Sequence, residues 1–498
     1  MVRQHARAKQ ELAEHEQLQK LSAEPDPDAG TAAKEQLHAC KEIESHSRTL
    51  AGTRLSSAAA SNGGPNSPAG VRPLRAQRSK AHDGPNAAVL ASAQSLCAQI
   101  KGSDQLRAYF RACGGLAAAT KQLQTAACQS ESYESVLAAC CQLLTEACSI
   151  DTNARHVAGC ATGKSAPAAA SASALLPALC ALAHKHSCVA ELLHAIALET
   201  DARAAVAGAW AGGADGSTGL AAAVSALPTL TAPHRAQLMA LLTNCASVRP
   251  FQAALAAALS APGSEAALLQ LLQSDSHPAS LQRTAALMTN AAASVAVRKQ
   301  LAASPATAAT LVARALQMLE LDTAAAAGAA LACLECLHNL TLEINVRAQL
   351  VCAEWHAVLS KLLPAPGAPA ELDKAAQVAL ATAARSASCP DAYAALQQAG
   401  IVQRIIAVAI CTCEALQAAE LASQEHIRVL DAAVRALASW GGQGHIENLR
   451  ATALLRILVW ACSAPCIADS CAGNAALCVG FVADERCVPD ADTDLDGA

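Results

Sequence analysis

Two stretches of this chain repeat each other at a fixed distance. "NAAASVAVRKQL" (290–301) and "NLTLEINVRAQL" (339–350) carry the same four residues in register. Asn290, Arg298, Gln300 and Leu301 fall on Asn339, Arg347, Gln349 and Leu350 at one offset of 49. An amide and a cation inside Leu- and Ala-rich text are costly to bury without partners. Their recurrence therefore marks a repeated structural unit. The same Asn stands in "LLTNCAS" as Asn244 and in "AGNAALC" as Asn474, giving steps of 46, 49 and 135. The last step is three periods of 45, which predicts two repeats whose Asn has been replaced, at "ATAARSAS" (381–388) and "RALASWGG" (435–442). Arg155, Arg203, Arg298 and Arg347 give a second register, with steps of 48, 95 and 49. A period in the mid-forties with about three helices per unit is the signature of armadillo and HEAT arrays. Eight residues from Asn to Arg suit a last helical turn, a short corner and a new helix.

Composition agrees. Hydrophobic residues make up 53% of the 498 positions but aromatics only 2%. The apolar content is Ala and Leu, good helix formers that pack in many thin layers. From residue 88 onward Leu, Val and Ala recur at three- and four-residue spacing between short Gly, Pro and Ser breaks. The expected fold is all-α, an armadillo/HEAT-like right-handed α-solenoid of eight or nine repeats over residues 88–485. Residues 1–50 predict polar helical segments, residues 51–87 a disordered Ser/Gly/Pro-rich linker, and residues 486–498 an acidic disordered tail, "PDADTDLDGA" at its end.

A net charge of −5 with 15% charged residues leaves no footprint for nucleic acid or an anionic membrane. The longest uncharged run (165–183) holds Pro167 and Pro177 and reads as a loop entering a helix, not a membrane span. The 22 cysteines sit mostly singly in helical text, which points to a reducing compartment. Cys333-x-x-Cys336 with His338 has the spacing of half a zinc site, but it lies mid-helix with no second pair nearby, so packed thiols are expected. Cys462, Cys466 and Cys471 read the same way. No G-x-S-x-G, H-E-x-x-H or G-x-x-x-x-G-K-[ST] motif occurs. The expectation is no enzyme, no metal, no cofactor and no small-molecule substrate.

The candidate site is a ladder. Third helices of armadillo repeats can line a groove, where an Asn offers a donor and an acceptor to an extended peptide. Asn244, Asn290, Asn339 and Asn474 are the candidates, with Arg298 and Arg347 on the rim. The competing reading has each Asn bonding loop backbone inside its own repeat, or capping the helix end, and each Arg packing between repeats.

Three stretches carry a family resemblance: "IKGSDQLRAYFRACGGLAAATKQL" (100–123), "AARSASCPDAYAALQQAGIVQRIIAVAI" (383–410) and "AGNAALCVGFVAD" (472–484). In order, they resemble the armadillo-repeat portion of the tetratricopeptide repeat protein 12 family. That resemblance implies a cytoplasmic factor for axonemal dynein arm assembly and ciliary motility, with dynein chains or assembly chaperones as partners. No tetratricopeptide signature stands before residue 88, and no binding residue carries over from the family. The alternative is a generic armadillo adaptor, in transport or ubiquitin signalling, that binds extended peptides in its concave groove.

Overall fold

The computed structural model describes residues 31–53, 79–127, 133–161, 175–212, 214–261, 263–275, 277–365, 372–418, 424–445, 447–450, 452–464 and 467–486. A helical pair comes first, α1 (Thr31–Gly52) and α2 (Ser79–Ile100). Seven triplets follow, each a first, second and third helix. They are α3 (Asp104–Ala112), α4 (Gly115–Ala127) and α5 (Glu134–Ala147); α6 (Asp151–Ala161), α7 (Leu175–Leu182) and α8 (Ser187–Ala197); α9 (Thr200–Ala211), α10 (Ala214–Ala226) and α11 (Ala232–Cys245). Next are α12 (Arg249–Leu259), α13 (Ser264–Ser274) and α14 (Pro278–Ala291); α15 (Val295–Ala303), α16 (Pro305–Leu319) and α17 (Ala324–Leu340). Then come α18 (Ile344–Cys352), α19 (Trp355–Leu362) and α20 (Lys374–Ser386), and α21 (Pro390–Gln398), α22 (Ile401–Ala418) and α23 (Gln424–Gly441). In the last unit a 3-10 turn (Glu447–Arg450) stands in the first-helix place, before α24 (Thr452–Ser463) and α25 (Asp469–Arg486). This is the all-α, armadillo-like repeat architecture that the 45-to-49-residue period implies.

The chain forms two compact units, residues 1–254 and 255–498, divided within α12. In the first, third helices α2, α5, α8 and α11 pack one on the next, as do second helices α1, α4, α7 and α10. In the second, α14, α17, α20, α23 and α25 form the third-helix layer, and α13, α16, α19, α22 and α24 the second-helix layer.

Small side chains let these layers close up. The helix α17, "AAAAGAALACLECLHNL", buries Ala326, Ala329, Ala330, Cys333, Leu334, Cys336, Leu337 and Leu340. A Cβ at Gly328 would stand 3.1 Å from the Gln282 amide of α14, so the bare backbone admits that neighbour. At the turn between α3 and α4, Gly114 adopts φ +80°, which costs a glycine little and other residues more. The helix α22 is long and apolar enough to cross a membrane by length and composition. Here it is the second helix of a repeat, with Val402, Ile405, Val408, Ala409 and Cys413 buried.

The array begins earlier than residue 88. The polar segment assigned to residues 1–50 contains α1, which takes the second-helix place against α2 and α4. Its stripe is narrow: Ile43, Ser47 and Leu50 are buried, at the three- and four-residue spacing of one helix face. Three such residues among charged neighbours are a weak signal, which is why this helix reads as a free polar segment. The helix α2 likewise starts at Ser79, inside the span assigned to the linker. Linker residues 54–78 lie outside the described residues, as do 1–30 and 487–498; α25 itself runs to Arg486.

Candidate functional site

The repeated Arg closes the corner between one repeat and the next. Arg298 Nη1 donates to Ala292 O at 3.1 Å, and Arg347 Nε to Thr341 O at 2.8 Å. In the first unit Arg203 Nε donates to Ala197 O at 2.8 Å. In each case the acceptor lies six residues back, at the end of the preceding third helix. Those last carbonyls have no partner within their helix, and a cation suits the negative end of the helix dipole. Two other residues do the same job: Asn153 Nδ2 bonds Ala147 O at 2.9 Å and Gln252 Nε2 bonds Ala246 O at 2.9 Å. Five consecutive corners thus share one device built from three residue types. Arg155, placed in the Arg series by its spacing, stands two residues past the position that makes this bond.

The corner Arg also reaches forward. Arg298 Nε donates to Glu343 Oε1 at 2.8 Å, with the two side chains only 11% and 18% exposed. Glu343 is the residue that precedes α18. Arg155 approaches Glu199 at 3.7 Å in the equivalent place before α9. Arg347 Nη1 instead meets Ser388 Oγ at 2.6 Å, just before α21. The repeated Gln and Leu have roles as well. Leu301 and Leu350 are buried. Gln349 Nε2 reaches back to Ala302 O at 3.4 Å, and Gln300 to Glu265. The Arg298 and Arg347 guanidiniums are therefore engaged in corners, as the packing reading expects.

Asn244, Asn290 and Asn339 each occupy the penultimate position of a third helix, in α11, α14 and α17. Within the two predicted stretches, 381–388 and 435–442, the same place is held by Arg385 in α20 and Trp440 in α23. Asn474 does not share it. It is the sixth residue of α25, far from that helix's end, because the third helices end at Ser386 and Gly441, 55 residues apart, and a count in steps of 45 then falls short of the end of α25. Asn339 Nδ2 donates to Thr289 O at 3.1 Å, and Arg385 Nη1 to His338 O at 2.7 Å. Thr289 and His338 stand directly before Asn290 and Asn339, so these two rungs bond the main chain of the rung before. Asn290 and Asn339 are half-buried and belong to the stripe that each third helix leaves partly uncovered. Across α14, α17, α20 and α23 this stripe carries Asn290, Glu335, Asn339, Arg385, Arg435 and Ser439.

His338 lies on this face. Burial, reinforced by the charges of Arg385 and Arg435, pushes it down to about 4. Its Nδ1 is 3.2 Å from Thr382 Oγ1, whose own proton goes to Val378 O at 2.8 Å. The hydroxyl oxygen is then the acceptor, and the neutral ring carries its proton on Nδ1. Cys333 and Cys336 are fully buried in α17, and burial raises both thiols, Cys333 to about 12. An unreactive thiol packed as a small hydrophobe is the result. Cys462 is exposed and Cys471 buried, while Cys466 lies outside the described residues. Between α18, α19 and α21 a shallow surface recess is lined by Leu350, Trp355, His356 and Leu396.

No protein-family model matches the chain, and no curated protein matches its sequence. An engineered protein of known crystal structure has the same fold over 94% of this chain and 99% of its own, at 18% identity and a TM-score of 0.59. A structure from a study of a phosphorylation switch between cadherin and β-catenin aligns with 76% of this chain and 79% of its own, at 13% identity and a TM-score of 0.47. The first likeness shows a shared fold; the second is too distant to add to it.

Proposed function

We propose that this protein is a non-catalytic scaffold that binds other proteins through the third-helix face. The observation that carries this reading is the partly uncovered stripe shared by α14, α17, α20 and α23. It presents amides, guanidiniums, a carboxylate and a hydroxyl in successive repeats, side by side, on a layer whose other sides are packed. A long surface with donors at repeat spacing suits an extended polypeptide better than a small molecule.

The finer reading rests on the sequence resemblance: a cytoplasmic factor in axonemal dynein arm assembly, with dynein chains or their chaperones as clients. Affinity capture with the full chain from extract of cells regrowing cilia, read by mass spectrometry, tests it. Enrichment of axonemal dynein chains or their assembly chaperones supports it. Reproducible capture of another protein set, without them, overturns the dynein reading and leaves an armadillo adaptor for transport or ubiquitin signalling. In that case Asn290→Ala with Asn339→Ala should weaken a groove ligand; unchanged affinity would remove the ladder from the site.

A further inference from the structure

The third-helix face of the second unit gathers more cations than acids. Arg385 is half-buried, and its pKa is lowered by burial and by the fields of Arg435, Arg347 and Arg298. Two of these have carboxylate partners, Arg298 with Glu343 and Arg435 with Asp431. Lys374 is paired with Glu335 at 2.9 Å. Arg385 and Arg347 instead bond neutral oxygens, those of His338, Thr341 and Ser388. The face therefore keeps two guanidinium charges uncompensated, with donors to spare on each planar fork.

The same chain carries a matching strip of acid. In "PDADTDLDGA" (489–498), Asp490, Asp492, Asp494 and Asp496 alternate with Ala491, Thr493 and Leu495. In an extended segment a period of two puts all four carboxylates on one side, about 6.5 Å apart. That segment has no basic residue to neutralise it.

Geometry allows the two to meet. The helices α23 and α25 run side by side in the same direction. Ser470 Oγ, at the start of α25, donates to Asp431 Oδ1 at 3.1 Å, and the Phe481 ring stands against Gly441. From Ser470 to Arg486 the helix rises about 24 Å. The ten residues 487–496 span up to about 33 Å when extended. They can run back along α25 to the level of Arg435 and on towards Arg385.

We propose that residues 489–498 dock on this face as an intramolecular acidic pseudo-ligand, with their aspartates against Arg435, Arg385 and Arg347. The docked segment occupies the same stripe that the proposed function assigns to clients, so a client must displace it. The docking itself does not depend on which client binds.

The test compares two full-length chains: wild type, and a variant with Asp490, Asp492, Asp494 and Asp496 all changed to Asn. A fluorescein-labelled synthetic peptide of residues 489–498 is titrated against each by anisotropy at 50 mM salt. The Asn variant should bind the peptide at least about tenfold more tightly than wild type, whose own segment competes at high effective concentration. Binding should weaken by about tenfold on raising salt to 500 mM, as screening requires. Adding Arg385→Gln to the Asn variant should abolish binding, while Arg385→Lys should retain most of it. Thermal melts confirm that both variants are folded, and Arg347→Gln supplies an independent second site. Equal affinity for the two chains, no binding to the Asn variant, or binding that survives both Gln substitutions would each overturn the proposal.

Discussion

The helical pair that opens the first unit and the middle repeats of the second hold their neighbours by different kinds of bond. In the middle repeats a side chain meets a main-chain carbonyl, and the contact recurs: Arg298 with Ala292 O, Arg347 with Thr341 O, Asn339 with Thr289 O, Arg385 with His338 O. The opening pair is held mainly by side chains unique to it. Tyr109 donates to Glu44, Gln99 Nε2 meets Glu42 Oε2 at 2.6 Å, and Ser95 Oγ meets His46 Nε2 at 3.1 Å. Gln122 caps the end of α1, donating to Leu50 O at 2.6 Å and Thr53 O at 2.7 Å. A main-chain acceptor is present in every repeat, so one donor position can serve many corners. A side-chain acceptor has to be placed afresh each time. The interior is thus periodic, and the end is bespoke.

Substitutions can break that contrast. The largest effect is expected for Arg298→Ala, which leaves Glu343 buried without its cation and Ala292 O without its cap. A loss of about 3 kcal/mol in unfolding free energy follows, measured by urea denaturation. Because the corner joins two repeats, hydrogen exchange should quicken in both α14 and α18; a change confined to one would show the corner to be local. Leu50→Ala comes next, at about 2.5 kcal/mol, near the low end for a buried leucine because a terminal helix can relax into the gap. Its exchange signature should stay in α1, α2 and α4. Gln122→Ala should cost about 1.5 kcal/mol for two lost carbonyl caps and expose the end of α1 alone. Spread of that signature into α5 and α8 would mean that the bespoke end is coupled as tightly as the interior.

The smallest effect at neutral pH belongs to His338. Its folded pKa of about 4 lies below the ordinary 6.5, so the folded chain resists taking the proton. The stability this contributes is complete above pH 6.5 and is lost as pH falls from there towards 4. His338→Gln should therefore show a shallower decline in melting temperature over that window than wild type. Identical slopes would mean that the ring takes its proton as readily in the folded chain as in the unfolded one.

What could be read in the sequence follows the same division. The period, the third-helix ends at Asn244, Asn290 and Asn339, and the stretches 381–388 and 435–442 that hold two ends without an Asn were legible, because a repeated corner leaves a repeated letter. Asn153 and Gln252 were not, since the geometry needs only a donor six residues past a carbonyl and accepts three residue types. Asn474 misled because spacing counts residues, whereas the corner counts helix ends. The helix α1 escaped notice because three buried positions, Ile43, Ser47 and Leu50, sit among charges that face outward. Pairs such as Tyr109 with Glu44 lie 65 residues apart, and no local pattern joins them.

The corner bond also acts as a ruler. The links from third helix to next first helix are residues 101–103, 148–150, 198–199, 246–248, 292–294, 341–343 and 387–389, all two or three residues long. Within the seven triplets the links from second to third helix run from 275–277 to 363–373. Differences in repeat length are absorbed largely where no side chain must measure back to a carbonyl. One residue added within 341–343 would turn α18 by about 100° and carry Arg347 away from Thr341 O. The same addition within 363–373 would leave every corner standing. The chain therefore has places where new sequence can be inserted without disturbing the array, and places where a single codon would unpick it.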